Sequence, residues 1–159
     1  MLHGDGKGLL LWFEPERVRK DTETYRKYGR FVLETPATGD TCLWNFADSD
    51  AAEYMTALIS TFIKNNGIDW YRQDFNISPA SYWTANDGKS SDRRVGMTEV
   101  KYITGLYHFL DGITENVPGL MIDNCAGGGR RLDIEMLKRS IVLWESDNFC
   151  GDRNPTAEG

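Results

Sequence analysis

Two aspartates, Asp74 in the stretch WYRQDFN and Asp147 in LWESDN, each close a short apolar and aromatic run with a carboxylate. Two carboxylates at the ends of nearby parallel strands, each beside aromatics, are what glycoside hydrolysis requires. One, ionised, attacks the anomeric carbon; the other, held protonated near neutral pH, donates to the leaving oxygen, and a retaining enzyme keeps the two about 5–5.5 Å apart. Trp12, Trp44, Trp70, Tyr71, Trp83 and Trp144 offer flat apolar faces for the C–H side of a sugar ring, although a tryptophan in a sheet is also ordinary core.

Each residue also has a plainer reading. Asp74 could cap a turn or pair with Arg72, and Asp147 could cap a following turn. Glu14 and Glu16 flank Pro15 and could form a solvated turn. Gly127, Gly128 and Gly129, followed by Arg130 and Arg131, form either a flexible loop or an anion cradle. The run fits neither GxGxxG nor GxxxxGK[ST], so it gives little support to a nucleotide. Cys125 reads as a packing or pocket residue, since no partner base is evident. His3 and His108 are too isolated for a triad or a metal cluster, and no metal site is expected.

The elements that must position these groups alternate along the chain. Leu9 to Phe13 is a short apolar run stopped by Pro15, the pattern of a strand buried on both faces. The runs from Ile68, Leu120 and Ile141 resemble it, each turning polar at its end. Between them, a helix is expected from about Asp48 to Asn66, with Tyr54, Leu58 and Phe62 on a stripe broadened by Met55, Ile59 and Ile63. Asp48 or Asp50 would cap it and Gly67 would end it. A second helix fits Thr98 to Asn116, with Val100, Ile103, Tyr107, Leu110 and Ile113 on one face; a shorter third runs from Asp133 to Arg139. Buried strands separated by helices imply an α/β fold with a parallel sheet, either open and doubly wound or part of a (β/α)8 barrel of the TIM type. A complete barrel needs roughly 250 residues, so four such units make about half of one.

The 159 residues, 40% hydrophobic, are expected to form a single domain over 1–159. A net charge of −6 disfavours nucleic acid and anionic membrane surfaces as partners. Cys42, Cys125 and Cys150 are odd in number and widely spaced, which suggests neither disulfides nor zinc and fits a reducing, cytoplasmic location. The N-terminal apolar run is too short for a signal peptide or a membrane span, so the NIS sequon at Asn76 reads as coincidental.

Five segments in order, GLLLWFEPERV, WNFADSDAAEYM, IDWYRQDFNI, IDNCAGGGRRLD and LWESDN, resemble the catalytic barrel of glycoside hydrolase family 36, the alpha-galactosidase (melibiase) family. The resemblance covers nearly the whole chain but only the third to sixth strands of the family's barrel. It implies a retaining double displacement on terminal α-galactosides without metal or organic cofactor. Asp74 would be the nucleophile and Asp147 the general acid/base. Arg72 stands where many members have lysine and would reach the sugar hydroxyls as a fork of donors. Cys125, Gly128 and Arg131 match the motif that shapes the galactose pocket, with Asp133 following. Trp12, Glu14 and Glu16 match the third-strand motif, with Trp12 and Glu14 placed near the sugar. Trp144 opens the motif of Asp147.

The family's upstream Asp-Asp-Gly-Trp motif does not occur here. Weak or no activity is therefore expected of the isolated chain, with a non-catalytic sugar-binding or scaffold half-barrel as the alternative. Two open sheet edges would favour a homo-oligomer. A flavodoxin-like nucleotide binder would carry its glycine loop after the first strand rather than the third.

Overall fold

The computed structural model describes residues 3–91 and 94–147; Cys150 lies outside them. In chain order the elements are β1 (Leu10–Phe13), β2 (Arg17–Arg19), α1 (Glu23–Tyr28), β3 (Val32–Leu33), β4 (Thr41–Trp44), α2 (Ser49–Asn66), β5 (Trp70–Gln73), α3 (Ala80–Asp87), α4 (Met97–Asn116), β6 (Met121–Asn124), α5 (Ile134–Arg139) and β7 (Val142–Leu143). They fall into two compact units. One gathers the described residues of Met1–Glu14, Gly67–Asn76 and Gly119–Gly159, and the other those of Pro15–Asn66 and Ile77–Pro118.

The first unit holds a four-stranded sheet in the order β1-β5-β6-β7, parallel at every pairing. Adjacent parallel strands joined through helical connections are the repeating pattern of a TIM-type barrel, here half of its eight strands. Register places Trp12, Arg72 and Asp123 side by side on one face. Asp69 ties the strand starts together: its Oδ2 accepts from the Leu9 backbone N–H at 2.7 Å and lies 2.8 Å from His3 Nε2. Its carboxyl is held below the usual carboxylate range by the Leu9 N–H and then by His3.

β1 is not buried on both faces as its composition suggests. Leu10 and Trp12 are 45% and 57% exposed, because no strand among the described residues lies opposite to cover that face. Composition reports what a complete sheet would bury; here the outermost strand leaves that surface open.

The second unit has a small antiparallel sheet, β2-β4-β3, and the long helices α2 and α4. Asp48 caps α2, its Oδ1 accepting from Ala51 N at 3.1 Å, and in the first unit Asp133 caps α5 in the same way. The buried stripes are rotated from those expected. In α2 they comprise Ala51, Met55, Ile59 and Ile63, while Leu58 and Phe62 are exposed. In α4 they comprise Tyr102, Leu106, Phe109, Leu110 and Ile113, while Val100 is exposed. Two glycines explain the rotation of α4: a Cβ on Gly105 would meet the Phe46 carbonyl, and one on Gly112 would lie 2.8 Å from Thr56 Cγ2. The tightest contacts of α4 therefore run along positions that add nothing to an apolar periodicity.

Trp44 and Tyr71, read as possible sugar platforms, are fully buried. Trp44 packs edge-on to Phe31 and donates its Nε1–H to Ala51 O; Tyr71 stacks on Phe13. Neither can meet a ligand. Glu16 is likewise no part of a solvated turn. It is fully buried, accepting from the Tyr102 hydroxyl at 2.6 Å, while its carbonyl accepts from Trp44 N.

Candidate active site

All the predicted site residues lie in the first unit, at or just beyond the C-terminal ends of its parallel strands. Asp74 follows β5. Its backbone N–H donates to Phe13 O at 2.9 Å, extending the ladder past the strand by one residue. Its carboxylate is held at both oxygens: Oδ1 accepts from Phe75 N and Oδ2 from Asn76 Nδ2, each at 2.8 Å.

Arg72, two residues earlier on the same face, does not take Asp74 as its ion-pair partner. Its Nη1 donates to Asp123 Oδ2 at 2.7 Å, and its guanidinium lies 5.2 Å from the centre of the Trp144 ring. Burial opposes the charge of Arg72, but the hydrogen bond and charge of Asp123 outweigh it and raise the pKa, with Asp74 adding to the effect.

Cys125 follows β6 in register with Asp74. Burial first, then Asp74, pushes its thiol above the ordinary value, against the opposing effect of the Gly128 backbone N–H. Gly128 sits at φ +72°, where a Cβ would lie 2.9 Å from Asp147 Oδ2. Gly129, at φ +107°, would drive its Cβ into the Glu145 carbonyl. The glycine run is therefore a packed loop, left-handed and pressed against the Asp147 segment, and side chains other than hydrogen are excluded there. Asp147 is exposed, and its Oδ1 accepts from Trp144 Nε1 at 2.9 Å. Asp74 and Cys125 thus stand at adjacent strand ends, and Gly128, three residues beyond Cys125, lies against Asp147.

The remaining predicted residues flank it. Trp12 is exposed on the face it shares with Arg72. Glu14 Oε1 accepts from the Asn76 backbone N–H at 2.9 Å. Arg131 is buried, its guanidinium 4.2 Å from the centre of the Phe75 ring. Among the described residues no cluster of three or more His, Cys, Asp or Glu is placed to hold a metal ion.

The family model for melibiase matches residues 2–152. The chain belongs to the melibiase family. Among its relatives, alpha-galactosidase AgaA of Geobacillus stearothermophilus is 29% identical over 143 residues, covering 87% of this chain and 19% of its own. The bifunctional alpha-galactosidase/sucrose kinase AgaSK of Mediterraneibacter gnavus is 25% identical over 152 residues, covering 92% of this chain and 15% of its own. The crystal structure of the Geobacillus GH36 enzyme superposes with a TM-score of 0.78 at 27% identity, covering 92% of this chain and 21% of that one. That of the Lactobacillus brevis alpha-galactosidase gives 0.79 at 25%, covering 92% and 20%. This melibiase-family chain therefore spans about a fifth of the length of the relatives it matches, and its α/β sheet is part of a barrel.

Three residues of this candidate site have contacts that the sequence did not assign to them. Asp123 lies within IDNCAGGGRRLD with no role evident from the motif, although its register opposite Arg72 makes it that residue's counter-ion. Asn76 belongs to the sequon that reads as coincidental, yet the amide nitrogen a glycan would take is the one donated to Asp74. Arg130, from the glycine loop, donates through Nη2 to Phe75 O at 2.8 Å. For Asn76 the available signal was its i+2 spacing from Asp74, the spacing of local side-chain bonding.

Proposed function

We propose that this chain carries the catalytic pair of a retaining hydrolase of terminal α-galactosides. Asp74 would attack the anomeric carbon, forming a covalent galactosyl ester as the glycosidic C–O bond breaks. Asp147 would give its proton to the departing oxygen, then take one from the water that cleaves the ester. The observation that supports this reading is the parallel register that sets Asp74 and Cys125 at adjacent strand ends, with Gly128 of the following loop lying against Asp147. Arg72, steadied by Asp123, would offer its remaining N–H groups to the sugar hydroxyls, and Trp12 and Trp144 would provide faces for the ring. Structures of the Geobacillus enzyme include complexes with stachyose and with raffinose, so α-galactosides of that kind are the substrates proposed here.

Four strands supply half of a sugar-binding wall, so slow turnover is expected of the 159-residue chain. A second copy is the partner proposed for the open edge at Leu10 and Trp12. The free thiols of Cys42 and Cys125 support a cytoplasmic location. No helix among the described residues is long and apolar enough to cross a membrane.

The test is release of nitrophenol from nitrophenyl α-galactoside by the purified chain and by Asp74→Asn and Asp147→Asn. Loss in both variants, with azide restoring turnover as the β-galactosyl azide for Asp74→Asn and the α-galactosyl azide for Asp147→Asn, is expected. Equal rates in wild type and Asp74→Asn would remove Asp74 from the mechanism. Calorimetric binding of galactose without turnover would favour a sugar-binding module instead.

A further inference from the structure

The hydrogen bonds around Asp74 form a clamp that spans three strand ends. We propose that Asn76 is a positioning residue for the Asp74 carboxylate, and that Glu14 and Arg130 act through Asn76 and Phe75 to hold it in place. The inference rests on the reading of Asp74 as nucleophile. A carboxylate turns easily about its terminal torsion, which is broad and roughly two-fold, and a turned carboxylate presents the wrong lone pair to the anomeric carbon. Here one donor on each oxygen defines its plane: Phe75 N on Oδ1 and Asn76 Nδ2 on Oδ2. An ionised carboxylate only accepts, so the nitrogen of the Asn76 amide must be the atom that faces it. A neutral amide orients the carboxylate without cancelling the negative charge that attack requires, as an ion-paired cation would partly do.

Asn76 is exposed, and an exposed side-chain bond orders little unless its backbone is held. Both peptide groups beside it are held. The Asn76 N–H donates to Glu14 Oε1 at 2.9 Å, from the residue that follows β1, and Phe75 O accepts from Arg130 Nη2 at 2.8 Å, from the loop after β6. The Arg130 and Arg131 guanidiniums also lie 5.6 Å and 4.2 Å from the centre of the Phe75 ring. Glu14 therefore serves the site by accepting a backbone hydrogen bond, a task that needs its oxygen and not its charge.

The experiment compares the full chain with Asn76→Asp, Asn76→Ala, Glu14→Ala and Glu14→Gln in two assays. On nitrophenyl α-galactoside, Asn76→Asp, Asn76→Ala and Glu14→Ala are expected to lower kcat about tenfold or more, the value of one charge-assisted hydrogen bond, with KM within about twofold. Glu14→Gln, which keeps an accepting oxygen, is expected to retain clearly more turnover than Glu14→Ala. In the second assay, esterification of Asp74 by a diazo reagent is followed by peptide mass spectrometry, which needs neither substrate nor turnover. It should accelerate about tenfold in the three disruptive variants and clearly less in Glu14→Gln. Unchanged esterification in Asn76→Asp and Asn76→Ala would overturn the clamp, as would a Glu14→Gln defect equal to that of Glu14→Ala. Absence of wild-type turnover would count against hydrolysis by this chain, and the esterification rates would still decide the clamp.

Discussion

Arg72 and Asp123 face each other in register on β5 and β6 and share a 2.7 Å ion pair in which both side chains are largely buried. The second oxygen of Asp123, Oδ1, is buried without a hydrogen-bond partner among the described residues, so the pair already bears a desolvation cost. Removing one member should therefore be worse than removing both. Asp123→Ala is expected to lose about 3 kcal/mol in urea denaturation. Arg72→Met combined with Asp123→Leu should recover most of that loss. A double variant no more stable than Asp123→Ala would show that the pair stabilises the sheet outright.

Gly128 touches the Asp147 segment closely enough that a methyl group has no place. Gly128→Ala combines a left-handed backbone with a Cβ 2.9 Å from Asp147 Oδ2 and 3.1 Å from Asp147 N. The backbone cost is about 1–3 kcal/mol, and the displacement should fall on Asp147 rather than on the strands. The expected outcome is a modestly lower melting temperature together with a large loss of reporter hydrolysis. A variant with wild-type turnover would detach the glycine loop from the proposed chemistry.

In the second unit, Gly105 and Gly112 offer a graded comparison. At an exposed helix position Gly→Ala gains about 1 kcal/mol. Gly105→Ala places a Cβ against the Phe46 carbonyl, which is backbone and cannot rotate away, and should lose about 3 kcal/mol, the upper end of overpacking costs. Gly112→Ala meets only Thr56 Cγ2, a side chain that can turn, and should lose less. Thermal unfolding of the two variants checks the order.

Burial, reinforced by Asp74, raises the Cys125 thiol above its ordinary value. A thiol whose pKa is higher in the fold than in the unfolded chain is held protonated by folding. Its stabilising contribution is complete below the unfolded value of about 8.5 and is lost as pH rises through the folded one. Cys42 shifts in the same direction, again chiefly through burial. Stability measured at rising alkaline pH should fall less steeply in Cys125→Ala than in wild type, and iodoacetamide should label Cys125 only above the ordinary thiol range. Labelling of Cys125 at neutral pH, read by peptide mass spectrometry, would contradict this.

The open β1 edge predicts association. Leu10 and Trp12 are exposed on a strand whose outer side has no described partner. Light scattering is expected to show a dimer or larger species, and Leu10→Lys should shift it toward monomer by placing a charge at the edge. A monodisperse wild-type monomer would dispose of the homo-oligomer.

The linear sequence alone determined the α/β class and the four parallel strands, and it singled out the two aspartates proposed as the catalytic pair. Each rests on patterns a few residues long: apolar runs that turn polar, helices with caps at Asp48 and Asp133, and motifs in a particular order. The three-stranded sheet of the second unit escaped because its short strands pair antiparallel between separated segments, Arg17 with Leu43 and Val32 with Trp44, a relationship no local pattern carries. The buried faces of α2 and α4 were misjudged because glycines, which decide how closely helices approach, are invisible to hydrophobic counting. Only the tertiary structure could pair Arg72 with Asp123, bury Glu16 under Tyr102, turn Glu14 toward the Asn76 backbone and bring the glycine loop against Asp147. Those relationships join residues many positions apart, and hydrogen bonds and close contacts depend on distance in space, which one-dimensional spacing does not carry.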